Sequence, residues 1–316
     1  MLFRSHPTGE ANPAPLFLSK GLNLLSAKLV GSPAEHLKLS VEQNEQKRDG
    51  IAFGMGNLYS SLSHAVDCIY SIEKNTFMGQ SRPQLMVKAV QSTLEAEIEK
   101  IKALQEDVLN ARRIHFLTSA LLKYRSLHNN FTCESNFDAN NIYGNLIISY
   151  NKNNAIDFYQ KNIALFDFCL FAPNSSNGQN CVVLAPDFES IPPKYSHIVF
   201  LDGIYCREQM DYVKTYFAEA EISVAQAVHT TAVNALYGGL DRYRMLYREL
   251  LKPQSFSAFQ LSRTTELSEE AIHYALFVFE NLGLLQYDYK YQRVQLASNP
   301  QKCDIESNIL VKILLR

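Results

Sequence analysis

Residues 51–62 read IAFGMGNLYSSL: a short apolar run, a glycine pair, then residues able to open a helix. A phosphate-binding loop has the same order, so this stretch decides between a nucleotide fold and something else. A dinucleotide loop needs G-x-G-x-x-G, whose third glycine lets the helix pack close and aim its amides at pyrophosphate. Position 59 here is Tyr59. A P-loop needs G-x-x-x-x-G-K-[ST], and no such string occurs; Gly238-Gly239 is followed by Leu240 and Asp241. No strand-helix-strand pattern follows the glycines either. Gly54 and Gly56 are therefore expected to end and bend a barrel strand.

The neighbouring sequence fits that reading. LNLLSAKLV (22–30), HLKLSVEQ (36–43), DGIAFGMG (49–56), VDCIYSIEK (66–74) and PQLMVKAV (83–90) are strand-length and partly alternating. Turn-rich stretches, GSPAEH, NEQKRD and NTFMGQSRP, separate them. Five strands in about seventy residues predict a small closed or half-closed barrel. From Glu95 to His128 apolar residues recur at three- and four-residue spacing, which predicts helix. From Tyr143 to Val228 the pattern alternates. NLIISY, FDFCLFAP, NCVVLAP and HIVFLDG are continuous apolar runs, as in strands buried on both faces, and ISVAQAV is a candidate fifth. NAIDFYQKN and REQMDYVKTYFAEA are helical. This predicts an α/β layer with a mostly parallel sheet. The end of the chain reads as three helices, the third capped by Ser268 and stopped at Asn281-Leu282-Gly283, then a hairpin around 289–292. That order is winged-helix-like.

The fold class is thus multidomain α/β: an N-terminal OB-fold barrel (17–92), a helical connector and helicase-like α/β layer without a P-loop (93–235), and a winged-helix-like C-terminal unit (236–316). Residues 1–16, with HPTGEANPAPLF, read as a linker. At 316 residues and 47% hydrophobic the chain can bury sizeable cores, and a net charge of −2 gives no whole-chain basic field. Any nucleic-acid site must be a local patch. The six cysteines form no C-x-x-C pair and are expected to be free thiols in a reducing cytosol. No apolar run is long enough to span a bilayer, so no membrane partner is expected.

Several of these stretches, taken in order, carry a family resemblance. A G-E-x-N-P-x-P-L-F entry, an H-L-K-L strand, an I-A-F-G-x-G strand end and an E-x-N-x-aromatic-x-G turn before Q-L-M-V-K resemble the segment of bacterial RecJ single-stranded-DNA-specific exonucleases that enters and builds their OB-fold domain. MLYRELLK, LSEEAIHYALFVFENLGLL and VQLASNPQKCDIESNIL resemble the RecJ C-terminal domain. RecJ proteins act through an upstream DHH phosphoesterase domain that binds Mn or Mg. This sequence has no Asp-His-His, and its eight histidines are isolated. The resemblance implies a RecJ C-terminal part whose catalytic domain is lost, encoded separately or trimmed away. Such a chain would have no catalytic residues and no metal or other cofactor, and would be inactive alone as a nuclease. Its partners would be single-stranded DNA and a repair protein met through the C-terminal domain.

An OB barrel holds a single strand by aromatic stacking beside a cationic track. Phe77, in a polar turn flanked by Lys74 and Arg82, is the expected stacking residue. Lys38 and Lys88 alternate with apolar neighbours and so point away from the core, where they can line the groove. Phe53 is expected to face the core. In the tail, Arg242, Arg244 and Arg248 share one helix. The third helix carries Glu269, Glu270 and Glu280, a poor composition for reading a major groove. Two other readings stay open: a winged-helix DNA-binding regulator with an α/β sensing domain, and a degenerate nucleotide-hydrolysing helicase.

Overall fold

The computed structural model describes residues 15–77, 80–128, 144–163, 165–173, 179–225, 230–252 and 256–315. Most of the expected linker, His6, Cys133 and His229 lie outside the described residues. The chain divides into two compact units, Met1–Ala103 and Leu104–Arg316.

The first unit is a closed five-stranded barrel. Strands β1 (Phe17–Val30), β2 (His36–Gln43), β3 (Gln46–Ala52), β4 (Ala65–Phe77) and β5 (Gln80–Ser92) close in the order β1-β2-β3-β5-β4. Neighbours are antiparallel except β3 and β5, which run parallel. Alternation drives the closure. Leu37, Leu39 and Val41 of β2 are buried while Lys38 is exposed, and they meet Leu22, Ala52, Val66, Cys68, Leu85, Val87 and Val90 in the interior. Burial beside Asp67 pushes the Cys68 thiol up to about 12, so it stays protonated.

The glycines at 54 and 56 have steric and conformational work. Gly54 follows β3 with φ +70°, and its N–H donates to His36 Nδ1 at 3.2 Å. Gly56 N–H donates to the Glu35 carbonyl at 2.8 Å, and a Cβ there would collide with the Ala34 backbone. Gly54 is the expected strand end; Gly56, beyond the strand, is instead a close backbone approach. Phe53 differs from expectation. It is 57% exposed and meets His36 edge-on at 4.9 Å, because β3 ends at Ala52 and the chain leaves the barrel there. NEQKRD also differs. Only Asn44 and Glu45 form the turn, both at positive φ, and Gln46 to Asp49 already pair with β2.

Helix α1 (Leu94–Ala103) begins with Thr93 Oγ1 accepting the Ala96 N–H at 3.1 Å. The single helix expected over 95–128 is in fact two: α2 (Glu106–Tyr124) opens the second unit. There follow β6 (Asn145–Ser149), α3 (Lys152–Asn162), β7 (Asp167–Leu170), β8 (Cys181–Leu184), β9 (His197–Phe200), α4 (Arg207–Lys214) and β10 (Glu221–Val224). The five strands form one parallel sheet in the order β10-β9-β6-β8-β7. Helix α4 stops at Lys214, short of the expected end at Ala220. The loop after β6 is no phosphate cradle. Asp202 occupies it, accepting from Tyr150 N at 2.6 Å, Ser149 Oγ at 2.6 Å and Asn154 Nδ2 at 2.9 Å.

The chain continues with α5 (Thr230–Asn234), α6 (Leu240–Leu250), α7 (Ala258–Thr265), α8 (Glu269–Asn281), the hairpin β11 (Leu285–Asp288)–β12 (Arg293–Leu296) and α9 (Ile309–Leu314). Ser268 caps α8 as expected, its Oγ accepting the Ala271 N–H at 3.1 Å. Every residue from Ala271 to Phe279 is buried, against α2, α6, α7, α9 and the hairpin. His273, inside this helix, is satisfied by Tyr287 Oη at 2.7 Å and Asp107 Oδ1 at 2.8 Å. The five described cysteines form no disulfide; Cys303 alone among them is exposed.

Candidate nucleic-acid interface

The barrel's closure fixes which side chains share its outer face. Cross-strand partners lie on the same side of a sheet. Lys38 pairs with Ile51, Ser40 with Asp49 and Glu42 with Lys47, so these project outward together. Ile51 is in turn opposite Met86, which puts the alternate β5 residues Gln84 and Arg82 on that side too. Asn75 of β4 lies opposite Arg82. A groove of about 710 Å³ is lined by Lys38, Lys47, Asp49, Asn75, Arg82 and Gln84 of this face, together with Arg48 and Pro83 from the alternate positions of β3 and β5. Four cationic side chains face one carboxylate. Lys28 of β1 extends the basic face, since it stands directly opposite Lys38.

A Lys–Lys cross-strand pair is destabilising in itself. A polyanion crossing the face would remove that repulsion. Polar neutral groups, Asn75 and Gln84, sit between the cations and can donate to phosphate or sugar oxygens.

The structure brings together two of the five residues singled out in the sequence, Lys38 and Arg82. Lys74 is opposite Pro83 and alternates with Asn75, so it projects from the other face of the β4–β5 hairpin. Lys88 is exposed but lies outside the groove lining; the β4–β5 register skips it, Val87 pairing with Tyr70 and Ala89 with Ile69. Phe77 ends β4 opposite Gln80, and its side chain lies outside the described residues. Lys47 and Arg48 are the groove cations that the sequence reading misses, with Asp49, Asn75, Pro83 and Gln84 beside them. Their signal is two adjacent cations after Asn44-Glu45, hidden by the turn-like composition of NEQKRD.

The arginines of α6 are placed differently. Arg242 is 3.2 Å from Glu266 and Arg244 is 3.6 Å from Asp241. Carboxylates therefore offset the charge of two of the three. Among the described residues no group of three or more His, Cys, Asp or Glu side chains is placed to hold a metal ion, and no helix is long and apolar enough to cross a membrane.

A closed barrel of this strand order, with β3 parallel to β5, is an OB fold. Residues 1–89 match the RecJ OB domain family, so the front of the chain is an OB domain of the RecJ kind. Solved structures similar to the chain include RecJ from Thermus thermophilus with Mg²⁺ (15% identity, 85% of this chain and 33% of that one, TM-score 0.23). The same protein with Mn²⁺ matches at 13% identity over 98% and 32%, with a TM-score of 0.23. Asparaginyl-tRNA synthetase from Pyrococcus horikoshii matches at 10% identity over 37% and 34%, with a TM-score of 0.20. The chain spans about a third of the length of these proteins. No curated protein matches the chain.

Proposed function

We propose that the barrel groove binds single-stranded DNA, and that the chain serves as the single-stranded-DNA-binding and partner-binding C-terminal portion of a RecJ-type 5′–3′ exonuclease acting in cytoplasmic DNA repair and recombination. One observation carries the reading: Lys38, Lys47, Arg48 and Arg82 converge from β2, β3 and β5 on one groove of a RecJ-type OB barrel. Cations along such a groove track the backbone of a single strand, while bases stack on aromatic side chains. Phe77, Lys74 and Lys88 remain proposed contacts beyond the groove. Cleavage and its Mn or Mg ions belong, on this reading, to a separate catalytic domain. Partner binding draws support from α6 and α7, which expose Met245, Leu251 just beyond α6, and Phe259.

The winged-helix regulator reading is weaker, since α8, the helix that such units insert into a groove, is buried from Ala271 to Phe279. The test is fluorescence anisotropy on labelled single-stranded and duplex DNA across a salt series. Each neutralised phosphate on a single strand contributes roughly −0.7 to the slope of log affinity against log salt, so four contacts give about −3. Lys47→Gln with Arg48→Gln is expected to flatten the slope by about 1.4. The labelled strand should remain intact in Mn²⁺. An unchanged slope, or tighter binding to duplex, overturns the groove as the site.

A further inference from the structure

One large aromatic side chain of the barrel stands in water beside the cationic groove. Phe53 directly follows β3 and is 57% exposed. Its ring meets the His36 imidazole edge-on, with 4.9 Å between centroids. His36 opens β2, and alternation sets its side. Leu37 is fully buried, so His36 and Lys38 both face outward. Lys38 lines the groove. The aromatic pair therefore stands two residues along β2 from a groove lysine, about 7 Å further on.

The backbone around the pair is tied down. Gly54 N–H donates to His36 Nδ1 at 3.2 Å, and Gly56 N–H donates to the Glu35 carbonyl at 2.8 Å. The chain leaving β3 is thus pinned to the start of β2 on both sides of Met55. Gly31 also packs on the imidazole, since a Cβ there would come within 3.1 Å of His36 Cδ2. With Nδ1 accepting, the neutral ring carries its proton on Nε2. Phe53 is therefore an open ring on a fixed backbone, with an N–H donor in the ring beside it. A surface already held in place loses little freedom when something covers it.

The surroundings select the occupant. The other outward side chains of β2 and β3 are Lys38, Ser40, Glu42, Lys47 and Asp49, with half-buried Ile51 opposite Lys38. The apolar surface there amounts to one ring and its near neighbours, the scale of a single nucleobase and far below that of a protein interface. We propose that Phe53 stacks a base of single-stranded DNA at the end of the cationic groove. This rests on the groove reading and adds to it the point where a base, rather than the backbone, is held. Phe77 lies elsewhere: opposite Gln80 at the start of β5, it is on the far side of the Ile51–Met86 pair from Phe53. The two positions can be tested independently.

The experiment is fluorescence anisotropy of the full chain with two labelled probes, an oligo-dT strand and an abasic strand of equal length, across a salt series. Wild type should bind oligo-dT more tightly than the abasic strand. Phe53→Ala should lose roughly 5- to 100-fold on oligo-dT, the range for one stacked base. It should change little on the abasic strand, and its salt slope should match wild type, since stacking neutralises no phosphate. Phe53→Tyr, which keeps the flat face, should bind as wild type does. Phe53→Leu, apolar without that face, should fail as alanine does. Lys47→Gln with Arg48→Gln should do the reverse, flattening the slope and keeping the preference for oligo-dT over the abasic strand. Equal oligo-dT affinity in wild type and Phe53→Ala, with the slope still flattened by the Lys47 and Arg48 changes, overturns the stacking site and leaves the groove standing. Equal losses on both probes, or full rescue by leucine, overturn it as well and assign the ring to shaping the barrel. No oligo-dT binding by wild type overturns the groove and the stacking site together.

Discussion

The outer face of the barrel and helix α8 treat charge in opposite ways. On the barrel, Lys28 faces Lys38 and four further charged side chains line one open groove, with a single carboxylate among them. In α8 the acids Glu269 and Glu270 stand in the first turn, where the helix dipole favours them, and the nine residues that follow are buried. Every barrel strand has one face in the core and one in water, so half its residues are available for function without cost to packing. The nine enclosed residues of α8 offer none. On the proposed reading the groove binds while α8 supports, although a winged-helix order alone would have put recognition on α8.

Four measurements press on that contrast, and the largest effect belongs to the supporting helix. Phe279 is fully buried against Tyr243 and Tyr247. Phe279→Ala should destabilise the second unit by about 3–5 kcal/mol. Hydrogen exchange read peptide by peptide should show faster exchange in 104–316 and unchanged protection in the barrel strands. Equal loss in both units would mean that α8 supports the barrel as well.

Acid should separate the units next. His115 stacks on Tyr289 at 3.9 Å, and burial with Lys290 and Arg112 nearby outweighs the Asp187 carboxylate, so its folded value is about 4. An unfolded histidine titrates near 6.5. As pH falls below about 6.5 the unfolded chain takes up a proton that the folded chain refuses. The second unit should then lose about 1.4 kcal/mol per pH unit down to about pH 4, with no dependence on this group above 6.5. Denaturant unfolding followed by circular dichroism checks this, and His115→Gln should remove most of the slope.

Much of the fold is legible in sequence, for reasons that differ by element. The barrel is readable because H-L-K-L-S-V-E-Q alternates at the period of a strand, and the parallel sheet because its runs are continuously apolar. The start of β3 is not. Gln46, Lys47, Arg48 and Asp49 have turn composition, and only the pairing with β2 makes them strand, so half of the groove's cations leave no strand signal. Phe53 misleads for the converse reason: it follows an alternating run but lies one residue past the point where pairing stops. The break between α1 and α2 has no proline or glycine to mark it.

Phe77 gives the next effect in size. If a base stacks on it, Phe77→Ala should cost about 1–3 kcal/mol of affinity for single-stranded DNA. Anisotropy at fixed salt measures this, and the salt slope should not change, since stacking releases no counterions. A changed slope with Phe77→Ala would mean that the hairpin end orders the cations rather than the bases.

The smallest effect tests which face of the hairpin the strand follows. Asn75 and Arg82 share the groove side of β4 and β5, whereas Lys74 projects from the other. Arg82→Gln should flatten the salt slope by about 0.7, the share of one phosphate. Lys74→Gln should flatten it less, because its ammonium must reach around the strand to meet the same backbone. Both residues are one position from the other's cross-strand partner, so local folding effects should be alike and the difference reports the face. Titration of the two single variants beside the wild type is sufficient. Equal flattening would mean that DNA wraps the hairpin on both sides, and the single-face account of the groove would give way to one in which the β4–β5 hairpin is itself the binding element.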